Sequence, residues 1–412
     1  MTGEVCRNCD APLEHVFVDL GMSPIANDYV AADKANAMEP FYPLCVYVCD
    51  SCWLVQLPAV QSADNIFRDD YAYFSSVSKS WLAHAERYVE QTAERFGIGE
   101  DSYVVEVASN DGYLLQYFHQ RGVPVLGIEP CANVAAAGEK VGVPALVEFF
   151  GTDLGNRLAA EGRKPDLIVG NNVLAHVPDL KDFVGGLKAL LAEDGVITME
   201  FPHLQQLVDH NQFDTIYHEH FSYFSLTAVA DVFRRQGLRI FDVEEIPTHG
   251  GSLRIYGCHA VDSDKQDSPA VEDLLSREAS AGFKDLEIYR SFEQKVHRTK
   301  RELLKFLIAA REEGKRVAGY GAPAKGNTLL NYCGVRSDLV EFTVDRAESK
   351  QSTLLPGVRI PVYPPEKIAE EKPDYILILP WNIKDEIMSS MDFVREWGGR
   401  FAVPIPEVQL LD

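Results

Sequence analysis

The stretch Ser102-Tyr-Val-Val-Glu-Val-Ala-Ser-Asn-Asp-Gly112-Tyr-Leu-Leu115 decides the fold of the middle of the chain. Its apolar start predicts a buried strand, its small and polar centre a tight turn, and its end a helix. A second strand, Pro124–Glu129, ends in an acid seventeen residues beyond Gly112. Three more strand-like runs alternate with helical sequence, at 145–150, 166–170 and 195–200. This alternation predicts a doubly wound α/β sheet with a ligand site at the carboxyl ends of its strands.

The turn in this stretch separates two classes of cofactor. A dinucleotide site has the spacing G-x-G-x-x-G, whereas an acid and one late glycine stand here. S-adenosylmethionine has no pyrophosphate that would demand close backbone approach, so it suits this turn better, with Glu129 on the ribose hydroxyls. A Rossmann-like domain without a cofactor is the alternative. The predicted cofactor contacts are Glu106, Ala108, Asn110, Gly112, Glu129, Asn171 and Asn172.

A row of ionisable side chains, Tyr217-His-Glu-His220, lies between aromatic residues. A histidine can act as a base near neutral pH, a glutamate can orient it, and a tyrosine can donate to an oxyanion. The spacing differs from the His-Glu-x-x-His of zinc proteases. We interpret the row as catalytic. A buried polar cluster and half of a metal site are the alternatives.

Composition limits the partners of this 412-residue chain. Its 39 basic and 62 acidic residues give a net charge of −23, which disfavours binding to nucleic acid or to anionic membranes. The sequence has no run as long as a membrane span and no signal peptide at its start. Eight cysteines, partly in CxxC pairs, then indicate thiolate chemistry in a reducing cytoplasm.

Two CxxC pairs about forty residues apart predict a structural zinc site near the N-terminus. Four thiolates complete a tetrahedral zinc site, and a segment this small lacks the core to hold itself together. A redox CxxC would need a thioredoxin-like helix after it, which the sequence does not show. The predicted ligands are Cys6, Cys9, Cys49 and Cys52.

A second turn of similar form, Gly319-Tyr-Gly-Ala-Pro-Ala-Lys325, follows a strand near the C-terminus and opens a helix. With Asp345 ending the next strand, it fits a dinucleotide fingerprint, so a nicotinamide-dependent sugar oxidoreductase is the rival function. It is not a Walker loop, because Lys325 precedes its glycine. We therefore predict three domains: zinc-binding at 1–70, S-adenosylmethionine-binding at 71–262, and a second Rossmann-like domain at 263–412.

Four motifs resemble the sugar C-methyltransferases of deoxysugar biosynthesis, and the likeness extends over residues 1 to about 405. They are the paired CxxC start, the linker 71–76 (Tyr-x-Tyr-Phe-Ser-Ser), the Glu106–Gly112 turn and the stretch 217–225 (Tyr-His-Glu-His-Phe-Ser-Tyr-Phe-Ser). These enzymes methylate carbon 3 of nucleotide-activated, typically dTDP-linked, 4-keto sugars. Members acting on amino-deoxysugars, such as the tetronitrose precursor, are the most similar.

The chemistry of such a reaction requires side chains of the kinds found in the row Tyr217–His220. Carbon attacks a methyl sulfonium only after removal of a proton beside the ketone, which needs a base and donors to the oxyanion in a dry site. We predict that His220 is the base and that Glu219 orients it or contacts the sugar. Tyr217 or Tyr71 would donate to the keto oxygen, and the resemblance adds His176 as a neighbour on the cofactor loop.

The sequence also suggests residues for the substrate, a small nucleotide sugar. Two glycines beside His249, Ser252 and Arg254 could cradle sugar hydroxyls or phosphate, unless they form a plain hairpin turn. The resemblance implies that the C-terminal domain grips the nucleotide, with Lys325 and Arg346 as phosphate contacts. We expect a monomer.

Overall fold

The structure is a computed structural model that describes residues 4–60 and 74–411. These residues form two compact units, each assembled from three separate segments of the chain. Unit 1 comprises 1–13, 49–203 and 221–284, and unit 2 comprises 14–48, 204–220 and 285–412. This division into two units is separate from the three predicted domains, whose boundaries remain a prediction.

Strands and α-helices alternate through most of the described chain. The strands are β1 His15–Ser23, β2 Val30–Ala31, β3 Tyr42–Val48, β4 Val55–Gln56, β5 Val104–Val107, β6 Val125–Ile128, β7 Ala145–Leu146, β8 Leu167–Asn171, β9 Val196–Pro202, β10 Ser222–Tyr223, β11 Leu238–Ile246, β12 Ser252–His259, β13 Val317–Tyr320, β14 Thr343–Val344, β15 Thr353–Leu354, β16 Val362–Tyr363, β17 Tyr375–Ile378, β18 Arg400–Val403 and β19 Gln409–Leu411. The α-helices are α1 Lys79–Phe96, α2 Leu115–His119, α3 Ala132–Glu139, α4 Thr152–Ala160, α5 Leu180–Leu190, α6 Leu204–Asp209, α7 Leu226–Arg235, α8 Pro269–Ser280, α9 Leu286–Glu312, α10 Ala324–Cys333, α11 Lys367–Glu371 and α12 Lys384–Ser390. In the described ranges no helix is long and apolar enough to span a membrane.

Unit 1 is built on a sheet with the strand order β11-β12-β9-β8-β5-β6-β7. The strands from β5 to β9 run parallel, whereas β12 pairs antiparallel with both β9 and β11. The central strands β5, β6 and β8 are fully buried, as expected for parallel strands that are covered on both faces. The connections reverse direction between β5 and β8, and such a switch point leaves a crevice at the carboxyl ends of the strands.

Unit 2 contains a second sheet, with the order β16-β14-β13-β17-β18-β19. Its strands are parallel except for β19, which pairs antiparallel with β18. The turn after β13 leads into α10, as the sequence predicts. The segment 14–48, which lies between the two CxxC pairs, joins this unit as the antiparallel pair β1–β3 and through β2, which pairs with β15.

The predicted strands agree with the sheets at their centres and differ at their edges. The predicted strand at 145–150 is reduced to β7, because beyond Leu146 the chain turns outward and leaves Val147 and Phe149 about half exposed. The strand that the sequence predicts before Asp345 is likewise short, with β14 covering only Thr343–Val344.

Candidate active site and metal centre

The four predicted zinc ligands come together in unit 1. The sulfurs of Cys6, Cys9, Cys49 and Cys52 all lie within 4.8 Å of one another. Two tight turns of the same form place them, since Asp10 N donates to Cys6 O and Trp53 N donates to Cys49 O, both at 2.9 Å. Sulfurs around tetrahedral zinc are about 3.8 Å apart, given a Zn–S distance of about 2.3 Å. The cluster therefore fits a zinc ion.

A neighbouring amide also points at this cluster. Gln56 Nε2 donates to Cys6 Sγ at 3.1 Å, and Gln56 Oε1 accepts from Arg7 N at 3.0 Å. Hydrogen bonds to thiolate sulfurs orient metal ligands and offset their charge. Gln56 lies on β4, which pairs with β10, so the metal centre is connected to strand structure within unit 1.

The predicted cofactor turn follows β5 and has an unusual backbone. Ala108 and Asn110 have φ values of 57° and 49°, in the left-handed region that most residues avoid. Gly112, at φ 74°, needs to be glycine for a second reason, because a Cβ there would lie 3.1 Å from Val143. Backbone of this kind is concentrated at ligand sites.

Glu129 closes the turn from the end of β6. Its carboxylate accepts Asn110 N at 3.0 Å and Cys131 N at 2.9 Å. Burial raises the pKa of Glu129, and these two backbone donors oppose that shift. Each carboxylate oxygen retains a second lone pair, so the group can still accept hydroxyl donors. Burial also raises the pKa of the fully buried Glu106, on β5, well above its usual range.

Several buried polar atoms around this turn have no hydrogen-bond partner among the described residues. They are Ser109 Oγ, Asp111 Oδ1 and both amide atoms of Asn171. An unpaired buried polar group costs about 1–3 kcal/mol, so a set of them at one crevice indicates a polar ligand. S-adenosylmethionine carries amino-acid and ribose groups that offer donors and acceptors of this kind.

The segment before α1 contributes two contacts that the sequence did not predict. Ser75 N donates to Asn110 Oδ1 at 2.9 Å, and Ser76 N donates to Asp111 Oδ2 at 3.1 Å. The end of the 71–76 linker therefore lies on the cofactor turn. Tyr71, predicted to assist catalysis, lies outside the described residues.

The loop after β8 meets the turn that precedes β12. Asn172, at φ 54°, has its Nδ2 3.2 Å from Nε2 of His249, which is itself at φ 55°. The ring of Trp81 lies 5.3 Å from that of His249. His176 is half-buried on the same loop, and the preceding Ala175 accepts Phe221 N at 2.7 Å. The structure thus brings His249 to the predicted cofactor loop.

Ser252 and Arg254 are engaged inside the protein. Ser252 Oγ donates to Thr248 O at 2.9 Å. Arg254, 4% exposed, donates through Nε to Glu200 at 2.7 Å and through a terminal nitrogen to Glu244 at 2.9 Å. Their assignment as substrate contacts remains a prediction, and the structure offers each side chain an alternative role in packing.

The row 217–220 lies in unit 2, after a short turn at Phe213–Thr215. His220 Nδ1 is 2.9 Å from the carbonyl oxygen of Thr215, which can only accept, so Nδ1 carries the proton. In the neutral ring the lone pair that can accept a proton is then on Nε2. The Tyr217 and His220 rings are 4.0 Å apart. The Thr215 carbonyl therefore orients the predicted base, which was one of the two roles that the sequence left open for Glu219.

Glu219 is 3% exposed and has a partner from a distant part of the chain. Asn27 Nδ2 lies 2.8 and 2.9 Å from its two carboxylate oxygens. Burial raises the pKa of Glu219 to about 7, while the Asn27 hydrogen bond and the charge of Lys350 act in the opposite direction. The intervening His218 is buried and meets Pro43 O at 3.1 Å through Nε2, which agrees with a packing role.

A second buried carboxyl begins the same segment. Asp214 accepts Trp381 Nε1 at 2.7 Å, and burial raises its pKa to about 6. Lys325 lies over the Trp381 ring, 4.4 Å from the centroid, and donates to Asn382. Burial lowers the pKa of Lys325 to about 8, and the charge of Asp214 opposes that shift. The contact between Asp214 and Trp381 was not predicted, because no local sequence feature links the two residues.

Several backbone groups of the turn after β13 are paired with side chains of unit 2. Asp345 accepts Ala322 N at 2.7 Å and Ala347 N at 2.8 Å. The Ala322 carbonyl accepts Lys350 Nζ at 2.9 Å and also the hydroxyl of Tyr29. Lys350 and Tyr29 therefore tie other segments of unit 2 to this turn. Arg346, exposed, pairs loosely with Glu386 at 3.4 Å.

Comparison with known proteins shows the family of this chain. Family models match a zinc binding domain at residues 6–67, a methyltransferase domain at 81–243 and a C-methyltransferase C-terminal domain at 247–406. Fold and site together define an S-adenosylmethionine-dependent methyltransferase that also binds zinc. The chain is 37% identical to the C-methyltransferase NovU of Streptomyces niveus over 406 residues, which is 98% of this chain and 96% of that protein. It belongs to this C-methyltransferase family.

Solved structures with partial likeness are more distant. The magnesium protoporphyrin IX methyltransferase of Synechocystis PCC 6803 with bound SAH matches 47% of this chain and 91% of its own, at 13% identity and a TM-score of 0.35. A protein of Pyrococcus horikoshii OT3 matches 48% and 99%, at 13% identity and a TM-score of 0.39. Scores this low carry no weight for function. The predicted family, α/β fold, enzyme class and two cofactors are confirmed by the family models and by the relative.

Proposed function

We propose that this C-methyltransferase adds a methyl group to carbon 3 of a nucleotide-activated 4-keto deoxysugar, typically a dTDP-sugar and with an amino-deoxysugar as one candidate. The observation that supports it most is the His220 imidazole, fixed by the Thr215 carbonyl with Nε2 left as the basic nitrogen. Methylation at oxygen or nitrogen needs no carbon acid to be deprotonated. A C-methyltransferase that acts beside a ketone needs such a base.

In the proposed reaction His220 Nε2 removes the proton from carbon 3, and the electrons move toward the keto oxygen. Bound S-adenosylmethionine supplies the methyl group that the resulting carbon nucleophile accepts. Tyr217, whose ring packs on that of His220, would donate to the developing oxyanion, with Tyr71 as a second donor and His176 as a neighbouring polar group. Glu219, since the Thr215 carbonyl already orients the base, would contact the sugar.

The cofactor and nucleotide contacts complete the proposal. We assign S-adenosylmethionine to the turn around Glu106, Ala108, Asn110 and Gly112, to Glu129, and to Asn171 and Asn172. We assign Lys325, Arg346 and His249 as contacts to the nucleotide sugar. Ser252 and Arg254 would contribute indirectly, by holding the shape of the turn in which they lie. The net charge of −23 supports a protein that acts without nucleic acid, and we further propose a cytoplasmic monomer in antibiotic deoxysugar biosynthesis.

The decisive experiment replaces the proposed base. His220→Asn should bind S-adenosylmethionine and the dTDP-4-keto sugar as the wild type does, yet lose turnover by ~10²–10⁴, the usual contribution of a positioned base. His210→Asn, in the same segment but outside the row, serves as the matched control and should keep full activity. Exchange of the carbon-3 proton with heavy water, followed by NMR, should disappear in His220→Asn together with turnover. Near wild-type turnover in His220→Asn would assign the base elsewhere.

The zinc ligands can be tested by metal analysis. We propose that Cys6, Cys9, Cys49 and Cys52 hold about one zinc per chain. Cys9→Ser should lose most of the bound zinc and much of its solubility, because the ion replaces a core that this segment lacks. Cys258→Ser changes a buried cysteine far from the cluster in sequence and should retain zinc. Full zinc content in Cys9→Ser would contradict the assignment.

A further inference from the structure

The segment between β1 and β3 reaches the proposed catalytic row through one side chain. Asn27 Nδ2 contacts both oxygens of Glu219, at 2.8 and 2.9 Å. If the carboxyl were protonated, its O–H donor would face the amide N–H donor of Asn27. The contact therefore favours the ionised group. The opposite orientation of the amide would bring its own oxygen against both carboxylate oxygens, which repel it. Asn27 therefore acts on Glu219 as a donor.

Asn27 is held in place from both sides. The carbonyl of the preceding Ala26 accepts Asn327 Nδ2 from α10 at 2.6 Å. Tyr29 N donates to Asn27 O at 3.1 Å, and the Tyr29 hydroxyl donates to Ala322 O. The amide is thereby tied to the helix and to the turn of the second sheet. An anchored donor loses little rotamer freedom when it holds its acceptor.

The charges around Glu219 act in opposite directions. Lys350 is the attracting cation, and its amine also donates to Ala322 O at 2.9 Å and lies over the Tyr29 ring. Tyr29 is another titratable group close to Glu219, and the charge of Asp345 acts on Lys350. His218 and His220 flank Glu219 in its own segment. Burial favours the neutral carboxyl, and Asn27 and Lys350 favour the ionised one. Asn27 is thus among the groups that favour the ionised carboxylate, and it is the one in direct contact with both oxygens.

We propose that Asn27 is a positioning residue for methyl transfer: its amide orients Glu219 and keeps that carboxylate ionised toward the substrate. The inference rests on the proposed role of Glu219 in the reaction. An ionised, fixed carboxylate accepts hydrogen bonds, so the site selects a sugar that presents a hydroxyl or amino donor to it. The stretch between the two CxxC pairs then has a function besides spacing the zinc ligands.

The test compares the pH dependence of kcat/KM in full-length variants. Activity that needs ionised Glu219 is present above its pKa and is lost as the pH falls through it. Asn27→Asp replaces the donor with a second carboxyl, and the pair then shares a proton. Its acid limb should move to higher pH by about 1–2 units, which is roughly a ten- to hundredfold loss on that limb. Asn36→Asp adds the same charge at an exposed position of the same segment and should leave the profile unchanged.

Two further variants separate the possible failures. Glu219→Gln should lose activity at all pH values, and in that background Asn27→Asp should cause no further shift. If Glu219→Gln is fully active, the proposed role of Glu219 is wrong. If Glu219→Gln is impaired but Asn27→Asp keeps the wild-type acid limb, the positioning inference alone is wrong. Should Asn27→Asp fail to fold, Asn27→Ser, which shortens the donor without adding charge, must shift the limb in the same direction or overturn the inference.

Discussion

The two α/β sheets carry turns of the same design and use them differently. Each turn follows a central strand, and an acid after the neighbouring strand accepts one N–H from the turn and one from two residues further along the chain. In unit 1 the acid is Glu129, and in unit 2 it is Asp345. The agreement extends to individual hydrogen bonds, so local sequence logic alone does not distinguish the two turns.

The difference lies in what surrounds them. Around the unit 1 turn, Ser109, Asp111 and Asn171 present buried polar atoms without partners in the described chain. In unit 2 the Ala322 carbonyl instead accepts Lys350 and Tyr29, which come from distant segments. We therefore expect the unit 1 turn to hold the cofactor, and the unit 2 turn to join segments of its own unit through Lys350 and Tyr29.

The largest effect that separates the turns should be on cofactor affinity. Glu129→Ala should weaken S-adenosylmethionine binding by about 10–100-fold, since the ribose contact and the support for Asn110 are both lost. Asp345→Ala, the matched change in unit 2, should leave that affinity unchanged. Calorimetric titration measures both. Equal weakening in the two variants would mean that the comparison is wrong, and unchanged affinity in Glu129→Ala would make this acid purely structural.

A second effect should appear in stability. Asp345→Ala leaves the backbone N–H groups of Ala322 and Ala347 without their acceptor, which should lower the free energy of unfolding by about 1–3 kcal/mol. Saturating S-adenosylmethionine should stabilise this variant as much as it stabilises the wild type, because ligand linkage depends only on affinity. Thermal unfolding with and without cofactor gives both quantities. A cofactor-dependent stabilisation missing from Asp345→Ala would contradict the division of roles.

The sequence predicted most of what depends on near neighbours. The CxxC pairs and the strand–turn–helix around Gly112 each lie within a few residues, where spacing carries the geometry. The Thr215 carbonyl that orients His220 is equally local, yet it was not predicted, because the sequence does not show which backbone group a side chain meets. The closeness of the four cysteines followed from pairing two local motifs. The second βα turn was also recognised, and the family to which the chain belongs favours the methyltransferase over the oxidoreductase alternative.

Contacts across long sequence separations were not predictable. Asn27 and Glu219 are 192 residues apart, so no periodicity connects them. Arg254 was expected to face a ligand, yet strand register sets it directly opposite Glu200 on β9, and register depends on how two distant strands pair. The same holds for Asp214 and Trp381. A single sequence reveals candidate side chains, whereas the fold decides which of them meet.

The interleaving of the two units has a consequence for how the protein is made. The chain passes between the units five times, at 13/14, 48/49, 203/204, 220/221 and 284/285. As the chain leaves the ribosome, unit 1 has all its segments once residue 284 has emerged. Unit 2 has all its segments only after the last strand has emerged. A product interrupted after residue 284 would carry the complete cofactor sheet and the row 217–220, yet lack Lys350 and Lys325. If the proposed roles hold, we expect such a fragment to bind S-adenosylmethionine but to transfer no methyl group, since the groups around Glu219 are missing.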